Sequence, residues 1–170
     1  MHSVFRQPYR LFFLGAAVYA VLHTLLWLAH LQGMWTVAAS APFVWHGYEL
    51  LFGFAGAVIT GFILTASENW TGHRSVNGPA LLLLFFAWLL ARGAALLDVS
   101  PWLVLIGDGV VLGGLTVALA RVLWLSGNRR NLRFLPITGS LALAAVLIQL
   151  SLLGVIPHWQ DWLLRAAVDL

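Results

Sequence analysis

Five apolar runs, each opened by a proline, decide what this chain can become. The prolines are Pro8, Pro42, Pro79, Pro101, Pro136 and Pro157. Proline lacks a backbone N–H and fixes φ, so it is tolerated in the first helical turn and is costly inside a helix. Each therefore marks a helix start. The runs between them are about 17–25 residues long, the length a spanning helix needs. They place spans near Leu11–Gln32, Phe43–Ala66, Pro79–Leu97, Trp102–Leu125 and Phe134–Ile156. A last helix begins after Pro157. His158–Leu170 is too short to cross a bilayer and is expected to be an interfacial helix or the cut start of a further span. The first run ends without a small-residue cleavage site and reads as a span, not a signal peptide. Lipid offers the backbone no hydrogen bonds, so the expected fold class is all-α. The expected architecture is a polytopic membrane bundle of five transmembrane helices plus a short or truncated sixth, one domain over residues 1–170.

Composition narrows the function. Charged residues make up 9% of the chain, against about 25% for a soluble domain. All nine basic residues are arginines, scattered rather than gathered into a stripe, so nucleic acid is not an expected partner. There is no cysteine, which excludes disulfides, thiolate ligands and Cys-linked haem. No phosphate loop, nucleophile elbow, HExxH or dinucleotide fingerprint is present. No complete catalytic constellation is visible. The arginines also orient the chain. Arg6 and Arg10 precede span 1, Arg74 lies between spans 2 and 3, and Arg129, Arg130 and Arg133 lie between spans 4 and 5. The positive-inside rule then puts the N-terminus, the 67–78 loop and the 126–133 loop in the cytoplasm, with His46 near the outer face.

Ionisable residues inside a span are the next signal, because each is expensive there without a partner or a role. Trp45-His46-Gly47-Tyr48-Glu49 opens span 2. At about 100° per residue, His46, Glu49, Gly53, Gly56 and Thr60 share one stripe about 80° wide. Two uses compete for it. One is a haem or copper site, with His46 as ligand, Glu49 orienting or ligating, and the glycines Gly53 and Gly56 leaving room for a flat cofactor. The other is small-residue helix packing, with His46 hydrogen-bonded at the interface. Span 1 carries Tyr19, His23, Trp27 and His30 on one face. His23 and His30 are roughly 10 Å apart along the axis and cannot share one metal. The antiparallel hairpin is expected to level His30 with His46 as co-ligands, and to put His23 deeper, opposite Gly53. Each histidine could instead bond a neighbouring carbonyl. Arg92 and Asp108 lie at matching depth in spans 3 and 4. A buried ion pair is the economical reading, and a haem-propionate contact by Arg92 the alternative. Gly109 and Gly113 form a GxxxG step expected to pack helices, and Gln149 is expected to bond across helices. His73 reads as solvated. Asn69-Trp70-Thr71 is set aside as a glycosylation site because it falls on the cytoplasmic side. His2 falls in the N-terminal tail.

The order of these motifs resembles a known family. Pro-Tyr-Arg-Leu-Phe-Phe at 8–13, Trp45-His46-x-x-Glu49 leading into Leu51-Phe52-Gly53-Phe54, Gly61-Phe62-x-Leu64-Thr65-Ala66, Asn69-Trp70-Thr71-Gly72, Arg92, and Asn128-Arg129-Arg130-Asn131 together resemble the NnrS family of bacterial multi-pass inner-membrane proteins. The resemblance implies haem (b-type) and copper as cofactors, and a role in nitric-oxide metabolism and nitrosative stress. It makes His46 the first ligand. The family segment usually reads Trp-His-x-His-Glu, and here Tyr48 stands in the place of its second histidine. Family chains are longer, with further spans, so the likeness is to their N-terminal half. The chain is thus expected to be a half-length relative, a truncated chain or one subunit of an assembly. Its expected partners are the lipid bilayer, a C-terminal half or another membrane subunit, and nitric oxide. The competing expectation is an accessory transmembrane subunit with no cofactor of its own, and an oxidoreductase acting on nitric oxide is a third.

Overall fold

A computed structural model describes residues 7–36, 42–156 and 159–169. Six helices follow one another. α1 is Pro8–Leu31 and α2 is Pro42–Thr71. α3 is Gly78–Leu97 and α4 is Pro101–Ser126. A 3-10 turn, Arg129–Asn131, leads into α5, Phe134–Leu152, and α6 is Gln160–Val168. Five of them are long and apolar enough to cross a membrane. Pro8, Pro42 and Pro101 are the first residues of their helices, Pro79 the second and Pro136 the third, where a missing N–H does no harm. Pro157, His158, Arg6 and His2 lie outside the described residues.

Two boundaries differ from expectation, each for a local reason. α2 runs a turn past Ala66 because its polar residues are satisfied within the helix. Ser67 Oγ donates to Leu64 O (3.0 Å) and Thr71 Oγ1 to Ser67 O (2.6 Å). Asn69-Trp70-Thr71 is therefore the last turn of α2 and not a loop. The helix stops at Gly72, where φ is 70°, a conformation that disfavours a side chain. α5 ends four residues earlier than expected, at Leu152. The N–H of Val155 folds back onto Leu150 O, a helix-terminating bond of the kind that leaves no room for another turn.

The spans alternate in direction. The N–H of Tyr9 donates to Thr65 Oγ1 (3.2 Å) and Asn128 Nδ2 to Trp70 O (3.0 Å), which gathers the start of α1, the end of α2 and the turn before α5 at one end. Trp45 Nε1 donates to Ala95 O (3.3 Å) at the other. The arginines of the described loops and helix starts thus share one end. α4 is the central post, packed against α2, α3 and α5, while α1 lies mainly on α2. The close approach is made by Gly107 and Gly114, two turns apart. A Cβ at Gly107 would sit 2.7 Å from Ala87 O, and one at Gly114 would sit 2.7 Å from Leu84 Cδ2. The GxxxG step is looser: Gly109 makes only an ordinary contact with Val146 Cγ2 on α5 (3.9 Å), and Gly113 has nothing within 4 Å of its Cβ position. Residues facing outward remain apolar, such as Leu14, Val21 and Leu25 on α1, as a lipid-facing surface must be. α6 is amphipathic. It buries Leu163 and Ala167 and leaves Trp162 exposed, and Leu164 reaches to 2.7 Å from a Cβ built on Gly47 at the start of α2.

Candidate functional site

Both polar clusters hang on the first half of α2, where the helix is irregular. Residues Glu49–Ala55 form a π-helical stretch between two α-helical ones, and the N–H of Gly56 bonds Leu51 O, five residues back. Such stretches widen the turn and shift the faces that follow. The stripe drawn at a constant pitch is therefore broken. His46, Glu49 and Gly53 take part in the clusters. Gly56 turns toward α4, 3.7 Å from Leu112 Cδ2 at its Cβ position, and Thr60 only bonds Gly56 O (2.7 Å).

The outer cluster is a pair of imidazoles. His23 Nε2 and His46 Nδ1 are 2.9 Å apart. Their rings are nearly parallel, at 10°, with centroids 4.9 Å apart, so one N–H donates to the other ring's lone pair. Trp27 lies flat on His46, 4.1 Å between centroids, and Trp45 leans on His23 at 4.7 Å. His23 is fully buried and His46 half-buried. The expected His30–His46 pairing is corrected here. His30 rests against Trp27, centroids 5.3 Å apart, and His23 is the histidine level with His46. His23 Nδ1 is buried and has no hydrogen-bond partner among the described residues.

The inner cluster lies below it and is nearly saturated: Arg92 Nε is its one buried polar atom without a partner among the described residues. Arg92 Nη1 meets Glu49 Oε2 at 2.5 Å. Arg92 Nη2 meets Asp108 Oδ1 at 2.5 Å and Oδ2 at 2.6 Å. The Tyr19 hydroxyl donates to Glu49, and the Tyr48 hydroxyl to Asp108 Oδ2 at 2.7 Å. All three charged residues are at most 2% exposed. Trp88 Nε1 closes the floor on Gly53 O (2.8 Å). Gly53 is what lets this happen: a Cβ there would meet Arg92 Nη1 at 2.7 Å, and Glu49 Oε2 and Tyr19 Cε1 at 2.9 Å. The space above Gly53, expected to be a groove for a flat cofactor, is filled by Tyr19 and Arg92. The Arg92–Asp108 pair matches the depth argument, and Glu49 joins it. Both terminal nitrogens of Arg92 are engaged by carboxylates.

The tyrosines are the residues that sequence reasoning missed. Two of the chain's three, Tyr19 and Tyr48, are buried inside spans, and a buried phenol needs an acceptor; Glu49 and Asp108 are the acceptors. Tyr48 also shows where the family's second histidine position points. It faces Asp108 on α4, away from the His23–His46 pair. Gln149 is buried on α5. Among the described residues no three His, Asp or Glu side chains gather as a metal-holding group.

Fold and site together define a multi-pass helical membrane protein that carries a histidine pair above a buried ionic lock. Comparison with family models adds a match to the NnrS protein family, over residues 3–170. The chain belongs to the NnrS family. Neither the curated proteins nor the solved structures give a match.

Proposed function

We propose that this chain is a haem- or copper-binding protein of the bacterial inner membrane, N-terminus in the cytoplasm, acting in nitric-oxide metabolism and the nitrosative-stress response. The observation that carries the reading is the His23–His46 pair, with a buried His23 Nδ1 that has no partner among the described residues. Buried polar atoms of this kind call for an explanation, and the donor set fits a ligated group. With His46 Nδ1–H donating to His23, the Nε2 of His46 is left free to ligate, and His23 acts as the acceptor that fixes the ring. In the other tautomer the bare nitrogen is His23 Nδ1. The half-buried ring of His46 favours it as the ligand, and His23 Nδ1 then carries the proton and does not ligate. Trp27 and Trp45 hold both rings in place and keep lipid from them. When bound, haem iron or copper supplies the centre that takes up nitric oxide; imidazole suits both metals. Glu49, committed to Arg92 and Tyr19, keeps the floor of the site rigid rather than ligating.

The test is an optical spectrum with metal analysis on the purified chain from haem- and copper-replete cells. A Soret band or stoichiometric copper is expected, and His46→Ala should abolish it. A colourless, metal-free preparation, or full loading of His46→Ala, overturns the reading.

A further inference from the structure

The end of the molecule opposite the histidines holds a second polar feature that the histidine site does not use. Trp70, Asn128, Arg130, Asn131, Arg133 and Phe134 surround a cavity of about 460 Å³ between the end of α2 and the start of α5. Its shape is fixed by one amide. Asn128 Nδ2 donates to Trp70 O (3.0 Å), and Asn128 Oδ1 accepts from the N–H of Asn131 (3.3 Å). Trp70 and Phe134 form an aromatic wall, rings 18° apart and centroids at 5.1 Å. The Arg133 guanidinium stands over Phe134 at 5.6 Å.

The charge here is uncompensated. The ion pairs among the described residues are those of Arg92. Glu68 is the one acidic side chain at this end, and it is occupied by the N–H and hydroxyl of Ser75. Arg130 and Arg133 therefore present donors at a polar cavity with no carboxylate to receive them. Guanidinium groups in that state match an anion with several acceptor oxygens, above all a phosphate. The depth of the cavity selects the source. It lies at the ends of two apolar spans, beside Trp70, where the headgroups of a bilayer sit. Basic pockets between spans at this level suit the headgroups of anionic lipids.

We propose that this cavity binds the phosphate of an anionic phospholipid headgroup, held by Arg130 and Arg133 against the Trp70–Phe134 wall. The site rests on the membrane reading of the five spans and not on any cofactor at His46.

The full chain, delipidated in detergent, can be titrated with phosphatidylglycerol or phosphatidylcholine and read by native mass spectrometry. One phosphatidylglycerol per chain should be retained, and phosphatidylcholine should not. Arg130→Gln with Arg133→Gln should weaken retention by about ten-fold or more. Arg10→Gln and Arg74→Gln remove the same charge outside the cavity and should leave retention unchanged. Equal retention of both lipids, or equal losses from the cavity and the control substitutions, overturns the proposal. Inorganic phosphate is the second arm. If it binds through Arg130 and displaces the lipid at matched concentration, the cavity belongs to a soluble phosphate and the lipid assignment fails. Thermal unfolding of the lipid-free double variant separates loss of binding from loss of fold.

Discussion

The two polar clusters of α2 sit on neighbouring turns and solve opposite problems. The inner one brings a guanidinium, two carboxylates and two phenols together, and pairs nearly all of their polar atoms. The outer one has two imidazoles, a single shared bond and a buried nitrogen left over. Paired charge makes the inner cluster a lock between α1, α2, α3 and α4. The half-buried ring of His46 makes the outer cluster accessible to a ligand. The contrast predicts that substitutions below His46 are read in stability, and substitutions at the histidines in loading.

The largest effect should come from Arg92→Leu. It leaves Glu49 and Asp108 buried without their counter-charge, and breaking such a pair by removing one partner typically costs about 3–5 kcal/mol. Denaturant unfolding in detergent should show a loss of that order or no folded protein at all. Glu49→Gln, which keeps Arg92 paired with Asp108, should lose clearly less. If Arg92→Leu instead unfolds like wild type and only loading changes, the division between lock and site is wrong.

Gly53→Ala comes next. Its methyl would press on Arg92, Glu49 and Tyr19 at 2.7–2.9 Å, and overpacking of this kind costs about 1–3 kcal/mol. Gly113→Ala is the control. Its Cβ would meet nothing within 4 Å, and the usual gain of about 0.5–1 kcal/mol from removing a mid-helix glycine should appear instead. Opposite signs for the two glycines would confirm that packing, and not glycine content, decides.

The histidines should answer in the other readout. His23→Ala removes the acceptor that orients His46, so cofactor affinity should fall about 10–100-fold, with residual loading. His46→Ala should remove loading outright. Apoprotein stability should change in both variants by less than in Arg92→Leu. Equal loading in wild type and His23→Ala would make the 2.9 Å contact a packing detail.

What the sequence reveals divides along a physical line. Depth in the membrane is legible, because rise per residue is fixed and lipid punishes unpaired charge; Arg92 and Asp108 meet for that reason, and the five spans follow from length and proline alone. Azimuth and hairpin register are not. The π-helical Glu49–Ala55 rotates Gly56 off the stripe, and nothing in Glu49-Leu-Leu-Phe-Gly-Phe-Ala announces it. Hairpin register decides that His23, and not His30, meets His46. Glycine spacing misleads in the same way. Gly109 and Gly113 carry the familiar pattern, yet Gly107 and Gly114 make the tight approach, to α3.

The smallest effect is expected from Tyr48→His, which restores the family's Trp-His-x-His-Glu. If position 48 completed the outer site, this variant would gain loading. Two residues along a helix turn the side chain by about 200°, and the structure agrees: Tyr48 bonds Asp108 on α4, while His46 bonds His23 on α1. A histidine at 48 would therefore join the lock. It would lose the phenol–carboxylate bond, a contribution of about 1.5–3 kcal/mol when the acceptor is charged, and regain part of it through its own N–H. Loading should stay at the wild-type level, with stability slightly lower. Copper or haem content rising above wild type in Tyr48→His would show that the two clusters are one site, and that the boundary between them lies in this chain's tyrosine alone.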